Sequence, residues 1–127
     1  MAANPEQVVS QYGAAWTDMS DERRRSLLEE CWAADGVYCD PMATVTGRQA
    51  LAGHIAGFSE RLPGHTIKLT SGIDAHDGFA RFGWEMYDAE DKLVTEGMDF
   101  AVFGEDGRIT RIVGFFGPLP PLDQPPA

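Results

Sequence analysis

The spacing of hydrophobic residues divides the chain into two parts of different character. Up to residue 62, apolar side chains recur at intervals of three and four positions, which is the spacing of amphipathic helices. From residue 66 to residue 116 they alternate with polar side chains, as they do in strands that bury one face. The pattern therefore predicts helices first and a sheet afterwards.

Three helices are predicted in the first part. The first begins at Asn4 and Pro5, an N-cap residue followed by a proline at the first helical position. The second covers residues 21–34, and the third begins at a capping box that starts at Thr46 and ends before Pro63. Their apolar stripes are Val8, Val9, Tyr12, Ala15 and Trp16; Leu27, Leu28, Cys31 and Trp32; and Leu51, Ile55, Phe58 and Leu62.

Extended segments are predicted between and after the helices. A short one, residues 37–41, is stopped by Pro41. Four longer ones, joined by tight turns, form an antiparallel meander over residues 66–75, 79–88, 92–103 and 108–116. Three helices on one side of a curved, mainly antiparallel sheet make an α+β fold, and the curvature leaves a pocket between the two layers.

The domain organisation is expected to be simple. A chain of 127 residues is long enough for one hydrophobic core, so residues 1–117 are expected to form a single domain. Residues 118–127 are rich in proline, and we expect an extended or disordered tail.

Composition excludes several classes of function. The net charge of −10 repels phosphate backbones, which argues against a nucleic-acid partner. No apolar stretch approaches the roughly 18 residues that a membrane helix needs, which argues against a membrane partner. Two cysteines, Cys31 and Cys39, with no secretory leader, predict free thiols and a cytoplasmic location.

Asp99 is the most informative single residue, because it stands inside the most apolar extended run of the chain, residues 97–103. Taking an ionised carboxylate out of water costs several kcal/mol, so such a group gains a partner, stays protonated or lines a wet cavity. Holding an aspartate neutral at pH 7 costs roughly 4 kcal/mol. The position therefore suggests a site. Alternation places Gly97, Asp99, Ala101 and Phe103 towards the helices and Met98, Phe100 and Val102 on the outer face.

Two further residues are candidates for the same site. Asp40 precedes Pro41, which restricts Asp40 to extended conformations and so fixes the direction of its side chain; the alternative is a turn-initiating Asp-Pro pair. Tyr12 lies on the inner stripe of the first helix, where its ring can pack in the core and its hydroxyl can reach a cavity. A purely structural tyrosine is the alternative there.

The sequence resembles the nuclear transport factor two superfamily, and within it the small SnoaL-like bacterial proteins. The resemblance rests on the order of the elements and covers roughly residues 4–117. It is carried by Val37-Tyr38-Cys39-Asp40-Pro41, Gly47-Arg48, Arg81-Phe82-Gly83-Trp84-Glu85 and Asp106-Gly107-Arg108-Ile109. It implies a cone-shaped fold that encloses a pocket. The superfamily contains isomerases, cyclases, dehydratases, epoxide hydrolases and proteins without catalysis, so the resemblance implies no single activity.

Three segments are similar to ketosteroid isomerase, an enzyme whose acid and base chemistry is well characterised. They are residues 8–15, Asp40-Pro41 and Met98-Asp99-Phe100. The similarity implies that Tyr12 binds an oxyanion, that Asp40 is the general base and that Asp99 is protonated and donates a hydrogen bond. The chemistry would be isomerisation or aldol-type ring closure through an enolate, with no cofactor.

A small hydrophobic ligand, such as a carbonyl compound or a polycyclic molecule, is the expected partner. Most aromatic residues at strand spacing are simply core, but several could line the pocket, and His54 lies beside the stripe of the third helix. Three scattered histidines do not make a metal site, and none is expected. The candidate substrate-binding residues are Trp84, Phe82, Phe116, Tyr38, Phe58, Met86 and His54.

Other functions remain open from the sequence. The fold could bind a small hydrophobic ligand without turnover, or act as an accessory protein. Arg81 with a carboxylate resembles the arrangement in epoxide hydrolases of the superfamily, although nothing in the sequence connects it to Asp99. A homodimer could form through the outer sheet face, because exposed apolar surfaces of that kind usually mark interfaces. Asp99 could also have a purely structural role, with its carboxyl group satisfied by a backbone or side-chain donor.

Overall fold

The computed structural model describes residues 4–123 and confirms the predicted α+β fold. A curved sheet carries the helices on one side, and the buried apolar residues of both layers form one core. The helices are α1 (Pro5–Ala15), α2 (Asp21–Cys31) and α3 (Arg48–Arg61). The strands are β1 (Trp32–Asp40), β2 (Ala43–Thr46), β3 (Thr66–Leu69), β4 (Asp74–His76), β5 (Phe79–Tyr87), β6 (Leu93–Phe103) and β7 (Ile109–Phe116).

Side-chain caps fix the start of two helices. The Asn4 side chain accepts a hydrogen bond from the Glu6 backbone N–H at 2.8 Å, as predicted for the start of α1. Ser20 caps α2 in the same way. The capping box predicted at Thr46 is wrong: Thr46 ends β2, and Gly47 is the N-cap with φ 97°, a conformation that favours glycine.

The second helix is shorter than predicted. It ends at Cys31, and Trp32 already has extended backbone angles, so β1 begins where three more helical residues were expected. The Trp32 side chain is fully buried, and Arg48 donates two hydrogen bonds to the Trp32 carbonyl. Tertiary packing therefore decides this boundary. The strand predicted over residues 37–41 is in fact nine residues long.

The strands occur in the order β2-β1-β7-β6-β5-β3, with β4 also paired to β5. The last four pairings of the chain are antiparallel, as expected of a meander. The strand predicted over residues 66–75 is split into β3 and β4, because Thr70 and Ser71 instead bond the backbone of Gly83. The sequence also missed β2 and the parallel pairing of β1 with β7.

The two faces of β6 differ as alternation predicted. Asp99 and Ala101 are buried towards the helices, whereas Met98 and Phe100 are each 37% exposed on the outer face. Phe115 on β7 adds to this outer apolar surface. The homodimer expected to cover this face remains a prediction.

A buried arginine holds α1 against α2. Arg24 is 2% exposed, and its guanidinium donates to the carbonyls of Ala15 and Thr17, just where α1 ends. It also forms an ion pair with Asp21 at 3.2 Å. Arg24 therefore satisfies backbone acceptors that the end of a helix leaves open.

Three sequence-based expectations concern the whole chain. Cys31 and Cys39 are free thiols, as predicted. None of the helices within residues 4–123 combines the length and apolarity that crossing a membrane requires. Residues 118–123 form neither helix nor strand, and residues 124–127 of the predicted tail lie outside the described part of the chain.

Candidate active site

A cavity of about 770 Å³ lies between the helices and the inner face of the sheet. Apolar and aromatic side chains form most of its wall, with a few polar groups among them, which is typical of small-molecule sites. Every residue predicted from the sequence to be catalytic or substrate-binding contributes to this wall: Tyr12, Tyr38, Asp40, His54, Phe58, Phe82, Trp84, Met86, Asp99 and Phe116.

The strand order brings Asp40 and Asp99 to either side of one glycine. Strand β1 runs parallel to β7 with Cys39 opposite Val113, and β6 places Asp99 opposite Gly114. A Cβ on Gly114 would lie 2.8 Å from Oδ1 of Asp99 and 3.5 Å from Cβ of Asp40. The missing side chain at Gly114 therefore leaves open space between the side chains of Asp40 and Asp99.

Hydrogen bonds hold Asp40 in place. Its Oδ1 accepts from the backbone N–H groups of Met42 at 2.8 Å and Ala43 at 2.9 Å, which makes it a turn-forming residue as well as a cavity residue. Its Oδ2 accepts from the Tyr38 hydroxyl at 2.5 Å. Both oxygens thus act as acceptors, and the side chain has a fixed orientation at the cavity wall.

Asp99 has fewer partners and is more deeply buried. It is 8% exposed, and Nε1 of Trp84 donates to its Oδ1 at 3.1 Å. Among residues 4–123, its Oδ2 has no hydrogen-bond partner, and this oxygen is not sealed from the cavity. Burial raises the pKa of Asp99 to about 7, and the charge of Asp40 adds to the effect, while the Trp84 N–H opposes it.

A second glycine positions the tryptophan that covers Asp99. Trp84 is opposite Gly97 in the β5–β6 ladder, and a Cβ on Gly97 would lie 2.4 Å from Cζ2 of Trp84 and 2.2 Å from the Phe115 carbonyl oxygen. The indole can therefore lie across β6 only because residue 97 has no side chain. The indole of Trp84 also packs edge-on against the ring of Phe116, with the ring centroids 5.6 Å apart.

Tyr12 contributes to the cavity wall from α1. It is 3% exposed, and its ring stacks on Trp32 with centroids 5.5 Å apart. Burial raises the pKa of Tyr12 well above its usual value, and the charge of Asp99 adds to this effect. The phenol is therefore a neutral hydrogen-bond donor over the physiological pH range.

His54 joins the wall from α3. Its ring centroid is 5.3 Å from that of Tyr38 and 6.0 Å from that of Trp16. Burial lowers the pKa of His54, partly offset by the charge of Asp40, so the imidazole is neutral near pH 7. Within residues 4–123, no three His, Cys, Asp or Glu side chains come together in a way that could hold a metal ion.

Sequence reasoning missed several residues of the wall. Trp16 was assigned to the core stripe of the first helix, yet it also faces the cavity. Arg61 was overlooked, although it follows His54 by seven positions and Phe58 by three, a spacing that places it on the same face of α3. Considering the polar residues on the same face of α3 as the apolar stripe would have identified Arg61.

Arg81 does not belong to this cavity. Its guanidinium forms an ion pair with Asp74 at 2.8 Å, and both side chains border a second depression, on the outer face of the sheet. The arrangement of arginine and carboxylate that suggested an epoxide hydrolase therefore lies away from Asp40 and Asp99.

Comparison with known proteins identifies the family. A model of the SnoaL-like domain matches residues 10–112. The chain belongs to the SnoaL-like domain family. A crystal structure from Agrobacterium tumefaciens, provisionally named as an isomerase of the SnoaL-like family, is 32% identical in sequence and superimposes with a TM-score of 0.84. The alignment covers 88% of this SnoaL-like chain and 96% of the Agrobacterium protein.

More distant structures share the fold of this SnoaL-like protein. A protein from Sinorhizobium meliloti, provisionally named a polyketide cyclase, has 16% identity and a TM-score of 0.68, over 85% of this chain and 93% of the other. A nuclear transport factor two-like protein of unknown function from Cytophaga hutchinsonii has 10% identity and a TM-score of 0.67, over 93% and 94% of the two chains. No curated protein matches the sequence.

Proposed function

We propose that this SnoaL-like protein is a cofactor-independent enzyme that isomerises or cyclises a small hydrophobic carbonyl compound through an enolate. The observation that carries the proposal is that two neighbouring carboxyl groups in one apolar cavity, those of Asp40 and Asp99, differ in burial and in hydrogen bonding. Two carboxyl groups that differ in exposure and in hydrogen-bond donors can divide the work of base and acid. The names of the Agrobacterium and Sinorhizobium proteins agree with this class of reaction.

Asp40 is the proposed general base. Tyr38 and two backbone N–H groups hold its carboxylate, and they leave a second acceptor position on Oδ2. This carboxylate removes a proton from a carbon next to the substrate carbonyl, and the electron pair of the broken C–H bond becomes part of the enolate. Negative charge then develops on the former carbonyl oxygen.

Asp99 and Tyr12 are the proposed donors to that oxygen. The pKa of Asp99 near 7 leaves a substantial neutral fraction at physiological pH, and its Oδ2 is free to carry the proton because Trp84 occupies Oδ1. Each preorganised donor contributes up to about 3–4 kcal/mol to the transition state. The proton on Asp40 then returns to another carbon in an isomerisation. In a ring closure, the enolate carbon instead bonds to a second carbonyl carbon, and the alkoxide formed on that carbonyl takes the proton from Asp40.

Hydrogen–deuterium exchange tests the proposed step without the natural substrate. Bicyclic ketones such as 2-decalone, dissolved in D₂O, should lose α-protons faster with the wild-type protein than in buffer, as followed by proton NMR. Asp40→Asn should slow this exchange by about 10²–10⁴-fold, since it removes the general base. Asp74→Asn, on the outer face, is the matched control and should not change the rate.

Asp99 provides a second, independent measurement. Carboxyl-carbon NMR of aspartate-labelled protein should show one resonance with a midpoint near pH 7 that is absent from Asp99→Asn. This variant should keep the fold and much of the ligand binding, but its exchange should be slower. An Asp99 that titrates near 4 without ligand contradicts its role as a neutral donor. Ligand binding without exchange would instead indicate a non-catalytic binding protein.

A further inference from the structure

One basic side chain lies on the cavity-facing stripe of α3. His54, Phe58, Arg61 and Leu62 all contribute to the wall, at spacings of four, three and one along the helix. Arg61 is the last residue of α3 and is exposed. It therefore stands where the cavity meets solvent, whereas Asp40 and Asp99 lie on the sheet side.

Arg61 has no carboxylate partner among residues 4–123. Arg24, Arg81 and Arg108 each pair with an aspartate, and of the arginines without such a partner in the described part of the chain only Arg61 lines the cavity. The guanidinium bends back along the helix: a Cβ on Gly57 would lie 3.1 Å from Nη1 of Arg61. An available guanidinium fork fits the two oxygens of a carboxylate.

Helix α3 and β1 place Arg61 and Asp40 on different sides of the cavity. Arg61 follows His54 by seven positions, and its guanidinium bends back towards Gly57, one turn closer to His54. The His54 ring is 5.3 Å from the ring of Tyr38, and the Tyr38 hydroxyl donates to Asp40. A ligand that contacts both Asp40 and Arg61 therefore crosses the cavity from the sheet side to the end of α3.

We propose that Arg61 forms an anion subsite, which selects carbonyl compounds that bear a carboxylate at the end remote from the reacting carbonyl. The guanidinium binds the carboxylate at the mouth, while the apolar wall holds the body of the ligand. That the ligand reacts at a carbonyl rests on the proposed function. The binding of the anion does not rest on that function, because it depends only on Arg61 and the cavity.

A pair of matched ligands tests the subsite. The probes are 6-hydroxy-2-naphthoic acid and its primary amide, which share one aromatic body and differ in charge. Calorimetric titration should show the wild-type protein binding the acid about fivefold more tightly than the amide, the size expected for one accessible charged pair. Arg61→Gln should remove this preference by weakening the acid about fivefold while leaving the Kd of the amide unchanged.

Arg25→Gln is the matched control, because Arg25 is exposed on α2 and outside the cavity wall. It removes the same charge from the protein and should preserve the preference for the acid. The proposal is overturned if the preference survives in Arg61→Gln, if Arg25→Gln abolishes it equally, or if the wild-type protein fails to bind the acid. Selectivity that depends on Arg61, without any α-proton exchange, would support the subsite and reject the proposed reaction.

Discussion

The carboxyl groups of Asp40 and Asp99 line the same cavity on opposite sides of Gly114, but they differ in burial and in hydrogen bonding. At the end of β1, Asp40 is half-buried and accepts three hydrogen bonds. In the middle of β6, Asp99 is covered by an indole and accepts one. Two aspartates in one cavity wall therefore differ in exposure and in the number of donors that they meet.

The origin of the difference is the position of each residue in the sheet. Asp40 ends a strand, so the backbone N–H groups of the following turn are free to bind it. Asp99 lies within a strand that pairs on both sides, where backbone N–H groups are engaged in the ladders. Only side chains remain to satisfy Asp99, and Trp84 supplies the one donor observed.

The largest effect should come from varying pH. The pKa of Asp99 is raised from 3.8 to about 7, so its contribution to folding stability is complete below pH 3.8 and is lost as the pH rises through 7. Relative to Asp99→Asn, the free energy of unfolding of the wild-type protein should therefore fall by up to about 4 kcal/mol between pH 4 and pH 8. Urea unfolding followed by circular dichroism measures this difference.

The matched control for that experiment is Asp74→Asn, whose aspartate is exposed on the outer face. Its stability should follow the wild-type pH dependence closely. If the curves of the wild-type protein and Asp99→Asn run parallel from pH 4 to pH 8, the contrast between the two carboxyl groups is lost.

A smaller effect should come from filling the space under Trp84. Gly97→Ala places a Cβ 2.2 Å from the Phe115 carbonyl oxygen and 2.4 Å from Trp84, so strand and indole must both move. Overpacking of this kind costs about 1–3 kcal/mol, seen as a lower Tm. Gly53→Ala is the control, because nothing lies within 4 Å of its Cβ in α3 and it should stabilise the helix slightly. Equal Tm changes would contradict the proposed tight contact.

The smallest effect should come from removing the single donor to Asp99. Trp84→Phe deletes the N–H that favours the ionised carboxylate, which contributes about 1.5 kcal/mol. The NMR midpoint of Asp99 should rise above 7 by about one pH unit. Trp16→Phe also alters an aromatic residue of the wall, but Trp16 does not contact Asp99 through a hydrogen bond. A midpoint that stays at 7 or falls in Trp84→Phe would show that the indole N–H does not favour the ionised form of Asp99.

Local patterns predicted much of the fold. Alternation correctly placed Asp99 inside and Phe100 outside, and the Asn4–Pro5 pair correctly marked the start of α1. The spacing of the second helix was misleading, because Trp32 is equally suited to a buried helix face and a buried strand. Such a boundary depends on what packs against it.

The closeness of Asp40 and Asp99 could not be predicted from the residues alone. It depends on the parallel pairing of β1 with β7, which joins segments about 70 positions apart, and on Gly114 between them. No local periodicity encodes that pairing. The resemblance to ketosteroid isomerase suggested one shared site, and its implied catalytic roles for Tyr12, Asp40 and Asp99 remain predictions.

The placement of the tryptophans gives the cavity a built-in optical signal. Trp16 and Trp84 form part of its wall, and Trp32 stacks directly behind Tyr12. Because these are the three tryptophans of the chain, intrinsic fluorescence excited at the indole band comes entirely from this region. Deprotonation of Asp99 beside the Trp84 N–H, or the entry of a ligand, should therefore be visible in the emission of the unlabelled protein.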